Sequence, residues 1–140
     1  MKFIQKQVIR GDLNFSNNVF EENPAIMLVL KDGDNFVGSV TYIPYFKRLI
    51  DVQILEDYRN RGLSHKLLRK AIKLFNPKEL FIMEDSFYTD GEHFRPLKAK
   101  DLIRVYSKYG FKLSNKDPRF CYPKNLTTVG EDVFCYRMIR

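Results

Sequence analysis

The stretch Glu56-Asp57-Tyr58-Arg59-Asn60-Arg61-Gly62-Leu63-Ser64, continuing as His65-Lys66-Leu67-Leu68-Arg69-Lys70-Ala71-Ile72-Lys73-Leu74-Phe75, decides the reading of this chain. From Leu63, the residues Leu63, Leu67, Leu68, Ala71, Ile72 and Phe75 share one helical face, while Lys66, Arg69, Lys70 and Lys73 share the other. That spacing predicts an amphipathic helix, stopped by Asn76-Pro77. Upstream, Phe46 to Leu55 reads as a strand, with Leu49, Ile50, Val52, Ile54 and Leu55 as its apolar content. The turn between them, Arg59 to Ser64, holds a glycine, two arginines and backbone N–H groups that the first helical turn cannot satisfy. A helix N-terminus carries roughly half a positive charge, so phosphate is the natural guest of such a junction.

The elements before this junction are strands. Phe3 to Ile9 alternates loosely and reads as the first strand. Gly11 to Pro24 is rich in Asn and Ser, and a short helix or packed loop is expected there. Ala25 to Leu30 and Phe36 to Ile43 are apolar runs flanking Lys31-Asp32-Gly33-Asp34-Asn35, the chemistry of a hairpin turn. Pro44 lacks an N–H and ends the second run.

After the junction, Leu80 to Met83 reads as a short buried strand, expected to lie parallel to the strand before the helix by the right-handed crossover rule. Asp85 to Pro96 is a long loop. A second helix comes next, with Ala99, Leu102, Ile103, Tyr106 and Tyr109 on its apolar face and Gly110 past its end. Phe111 to Leu113 begins another strand, Ser114 to Asp132 is a long connection, and Val133 to Ile139 closes the chain as a strand.

The chain has 140 residues, 44% of them hydrophobic and 29% charged, which suits one domain spanning 1–140. No run approaches the roughly 18 apolar residues that span a bilayer. The start, Met-Lys-Phe-Ile-Gln-Lys-Gln, does not read as a signal peptide, so a cytoplasmic, membrane-free protein with reduced Cys121 and Cys135 is expected. Lys plus Arg number 24 and Asp plus Glu 17, a net charge of +7 that favours anionic ligands without choosing among them.

Three features together resemble the GNAT superfamily of acyl-CoA-dependent N-acyltransferases. The turn is similar to that family's Gln/Arg-x-x-Gly-x-Gly/Ala pyrophosphate motif, with Arg59 and Gly62 in place and Ser64 where Gly or Ala is usual. Val105-Tyr106-Ser107-Lys108-Tyr109-Gly110-Phe111 looks like its aromatic-Tyr-x-x-x-Gly-Phe element. The order of elements matches over nearly the whole chain. Ala99 stands where the family often has Asn.

The resemblance implies a mixed α/β (α+β) fold: a mostly antiparallel central sheet of about seven strands with helices on both faces. It implies acetyl-CoA as cosubstrate, with no metal. The pyrophosphate would be held by Arg59, Asn60, Arg61, Gly62, Leu63 and Ser64, and the pantetheine arm would pair with backbone near Ile54 and Leu55. It also implies an amine acceptor, on a small molecule or a protein, whose deprotonated nitrogen attacks the thioester. Asp51, Glu84 or a water between them are the candidate bases, and Tyr106 is the candidate acid toward the leaving thiolate. For Asp51 a one-residue change of strand register would reverse its face. A monomer or homodimer is expected. Two rival readings stand: a GNAT-like protein that binds coenzyme A or a partner without catalysis, and a basic nucleic-acid-binding module. The acidic groups Glu84, Asp85, Asp90 and Glu92, and the segment Ser114 to Asp132, are candidate walls of the acceptor site.

Overall fold

The structure, a computed structural model, describes residues 1–14, 19–84, 99–114, 119–120 and 134–140. It divides into two compact units, Met1–Arg10 with Glu22–Lys78, and Gly11–Glu21 with Glu79–Arg140.

The first unit holds β1 (Lys2–Asn14) as far as Arg10, β2 (Val19–Asp32) from Glu22 onward, β3 (Asn35–Ile43) and β4 (Arg48–Ile54), side by side in chain order. β2 and β3 pair antiparallel from Ile26↔Tyr42 to Asp32↔Asn35, closing the expected hairpin around Gly33, whose φ of +60° suits glycine. A short 3-10 helix, Glu56–Tyr58, leads to the turn and then to α1 (Leu63–Phe75). α1 packs on β3 and β4 through the buried side chains of Leu67, Leu68 and Ala71. The two leucines alone contribute roughly 3–6 kcal/mol of burial. At the far end of α1, Phe75 stacks on Tyr42 with ring centroids 4.6 Å apart. Asn76 then stops the helix in the left-handed region at φ 47°.

In the second unit, β8 (Phe134–Ile139) pairs antiparallel with β5 (Glu79–Glu84), from Glu79↔Ile139 to Glu84↔Phe134. It also pairs antiparallel with β6 (Lys112–Leu113) and β7 (Arg119–Phe120). α2 (Ala99–Ser107) packs on β5 and β6. Leu80, Phe81, Ile82, Tyr106, Phe111 and Met138 are buried apolar residues of this unit. Arg137 donates to Glu79 Oε2 at 2.7 Å, a diagonal cross-strand pair.

The mixed α/β class with mostly antiparallel strands is the expected one. The sequence reading of Gly11 to Pro24 needs correction: β1 continues through Asn14 and β2 starts at Val19, so the residues flanking 15–18 are strand. Strand pairing overrides the weak propensity of Asn and Asp, with Asp12 and Asn23 both buried. β4 is also shorter than Phe46 to Leu55, because Pro44 to Lys47 form a turn in which the Lys47 N–H donates to Pro44 O at 3.1 Å and Lys47 takes φ 52°. The long loop Asp85 to Pro96 and most of Ser114 to Asp132 fall outside the described residues, as does Cys121.

Candidate functional site

An irregularity in β4 sets the direction of one of its charged side chains. Thr41 faces Ile50 and Ser39 faces Gln53, so Asp51 and Val52 together oppose Val40. This is a β-bulge, and Asp51 adopts φ 52° within it. Before the bulge both faces of β4 are covered, with Leu49 and Ile50 buried; at the bulge Asp51 meets Arg10 of β1, with Arg10 Nη1 2.5 Å from Asp51 Oδ2. Beyond the bulge, the Leu55 N–H donates to Val37 O at 2.8 Å. Backbone groups alternate sides along a strand, so the Ile54 carbonyl points away from β3. Opposite Ile54, β3 carries Gly38; a Cβ there would run into Gln53 O and the Ile54 side chain, so this close approach needs glycine.

The chain then turns into α1. The 3-10 helix closes with Tyr58 N–H to Leu55 O at 2.9 Å and Arg59 N–H to Glu56 O at 3.1 Å. Two left-handed residues come next, Asn60 at φ 63° and Gly62 at φ 72°, with Arg61 between them. Asn tolerates that region and Gly adopts it freely. A Cβ on Gly62 would meet nothing within 4 Å, so within the chain the glycine answers to backbone conformation, and the space over it is open.

Both arginines of the turn are oriented. Arg59 donates through Nε to Ile54 O at 2.9 Å. The Arg61 guanidinium lies 5.4 Å from the Tyr58 ring centroid, within cation–π range. At the start of α1 the N-cap Gly62 offers no side-chain hydrogen bond, and the first turn holds no acid. The helix dipole and its leading N–H groups therefore face outward with cationic neighbours, and this donor set fits a pyrophosphate.

The other expected site residues lie elsewhere in the chain. Tyr106 sits on α2, 8% exposed, and burial, reinforced by Tyr109, pushes its phenol up to about 12. The helix ends in tightened bonds from Tyr109 N–H to Tyr106 O and Gly110 N–H to Ser107 O, with Gly110 at φ 91° and Phe111 fully buried behind it. Glu84 is the last residue of β5, and its side chain lies outside the described residues. Sequence reasoning missed Arg10, which lies far from Asp51 in the chain and carries no local signal of that contact. It also missed Gly38 and the Arg59 to Ile54 hydrogen bond. The bulge had one visible hint, the carboxylate of Asp51 set between the apolar pairs Leu49-Ile50 and Val52 with Ile54.

A model of the acetyltransferase (GNAT) family matches residues 4–88, which include β4, the turn and α1. The chain belongs to this family. No curated protein sequence matches it. Among solved structures, a Bacillus anthracis protein described as a streptothricin acetyltransferase, in complex with acetyl coenzyme A, aligns with TM-score 0.53 at 11% identity, covering 99% of this chain and 88% of that one. The ribosomal-protein-S18-alanine N-acetyltransferase of Escherichia coli aligns with TM-score 0.50 at 15% identity, covering 95% and 92%. Ard1 from Thermoplasma volcanium aligns with TM-score 0.50 at 16% identity, covering 81% and 70%. At such identities the likeness is one of GNAT fold. Among the described residues no helix is long and apolar enough to cross a membrane.

Proposed function

We propose that this GNAT-family chain transfers an acetyl group from acetyl-CoA to an amine by direct attack. The observation that carries the reading is the turn: left-handed Gly62 under open space, uncapped N–H groups at the start of α1, and Arg59 and Arg61 beside them. Asn60 to Ser64 would hold the pyrophosphate, and backbone at Ile54 would take the pantetheine arm as an added strand does, whereas the expected share of Leu55 falls away because its N–H and C=O are both bonded within the chain.

Two residues then share the proton work. An amine of ordinary pKa near ~10.4 must lose a proton before attack. Asp51 is committed to Arg10, so we assign it to holding the bulge, leaving Glu84, directly or through water, as the base. Tyr106 would serve the leaving thiolate. Its phenol at about 12 and a thiol near ~8.5 make full transfer uphill by about 5 kcal/mol. Tyr106 thus serves best as a hydrogen-bond donor that stabilises developing charge on sulfur, completing transfer late.

A second reading keeps the cofactor and loses the chemistry, favoured by the same two facts, an ion-paired Asp51 and a very weakly acidic Tyr106. Calorimetric titration with acetyl-CoA tests what the two readings share: no saturable binding at sub-millimolar concentration removes both. Thiol release on offering amines, peptides and protein N-termini separates them, since the second reading gives none.

A further inference from the structure

The Ile54 carbonyl and the Arg59 guanidinium meet at the same edge of β4. The Ile54 C=O points away from β3, the side from which the pantetheine arm would pair in the reading above, yet Arg59 Nε already sits 2.9 Å from it. That is the distance at which the N–H of an added strand has to lie. Arg59 also belongs to the anion turn, five residues along the chain from the carbonyl it holds.

Resting on the acyl-CoA reading above, we propose that Arg59 is a positioning residue with two mutually exclusive partners. In the free protein its guanidinium occupies the pairing position at Ile54 O. When a pyrophosphate enters the turn, the guanidinium turns to the phosphate oxygens and releases the carbonyl to the pantetheine amide. A doubly charged anion is a stronger partner for guanidinium than one carbonyl, which drives the exchange. The phosphate end of the cofactor thus opens the strand edge for its acyl end, and a donor lacking the phosphates meets a blocked edge.

The test uses S-acetylpantetheine, which carries the acyl arm without phosphates, alongside acetyl-CoA. Binding of each is measured calorimetrically to wild type, Arg59→Ala and Arg59→Gln, with near-UV circular dichroism and melting to establish that the variants fold. Arg59→Ala should bind S-acetylpantetheine about tenfold more tightly than wild type, because the competitor is gone, while binding acetyl-CoA several-fold more weakly. Arg59→Gln keeps a donor for Ile54 O and loses the charge, so its S-acetylpantetheine affinity should stay at the wild-type level while acetyl-CoA weakens. Binding of S-acetylpantetheine to Arg59→Ala that is equal to or weaker than to wild type, undetectable binding to both included, overturns the proposal. Failure of wild type to bind acetyl-CoA is a different result, and strikes the acyl-CoA reading itself.

Discussion

Arg10 and Asp51 form an ion pair 2.5 Å long between β1 and β4, each side chain 28% exposed, with Asp51 held in the left-handed region at a bulge. The pair is partly screened, so its contribution to stability is about 1 kcal/mol. Asp51→Asn keeps a residue that tolerates the left-handed conformation and removes the charge. It should lower the melting temperature by a few degrees and leave turnover within about fivefold of wild type. A fall in kcat of a hundredfold, with loss of the acidic limb of the pH profile, would return Asp51 to the role of base.

Gly38 stands where β3 comes closest to Ile54. Gly38→Ala puts a methyl group against Gln53 O and Ile54, and the two strands must part to admit it. The expected cost is about 1–3 kcal/mol, read as a lowered denaturation midpoint at unchanged slope. Acetyl-CoA affinity should fall with it, since Ile54 shifts.

Gly62 separates two demands. Its φ of 72° makes Gly62→Ala costly by about 1–2 kcal/mol, whereas Gly62→Asn suits the conformation better and should cost less. If the open space above Gly62 admits a pyrophosphate, both variants should lose tenfold or more in acetyl-CoA affinity. Affinity that instead tracks stability, with Asn close to wild type, would leave the glycine a purely conformational role.

Tyr106 predicts a pH dependence of a particular sign. Its ordinary value is 10.0 and burial raises it to about 12, so the folded chain holds the phenolic proton more tightly than the unfolded chain. The stability this gives is fully present below about pH 10 and is lost as pH rises toward 12, a fall of about 3 kcal/mol. Denaturant titrations at pH 9.5 and 11.5 should show this fall shrink in Tyr106→Phe. Turnover by wild type should show no descending limb from Tyr106 below about pH 11, and Tyr106→Phe should lower kcat by about 10²-fold with acetyl-CoA binding intact.

Local chemistry made much of this legible. α1 runs from Leu63 to Phe75 as its apolar spacing required, because one face had a core to meet and Asn76-Pro77 allowed no continuation. The hairpin at Gly33 and the end of β3 before Pro44 come from backbone constraints that act within a few residues. Strands over Gly11 to Asn14 and Val19 to Pro24 were not legible, since neighbouring strands supply what their composition lacks. At the site, the turn could be read from one glycine and two arginines, whereas the partners of its side chains could not. Arg59 to Ile54 depends on a rotamer, and Arg10 to Asp51 on a bulge that reverses the facing of a strand.

That bulge also sets a limit on improvement. Removing its extra residue from β4 would restore unbroken pairing with β3 and abolish the left-handed Asp51, both gains in stability. The same deletion would leave Gln53 opposite Ser39 and Ile54 opposite Gly38, with the Ile54 carbonyl still turned away from β3, and would remove the carboxylate that holds Arg10 of β1. Selection for heat tolerance alone should therefore weigh a straighter β4 against the loss of the tie that binds it to β1, and the melting temperature of a chain lacking residue 51 reads which of the two is larger.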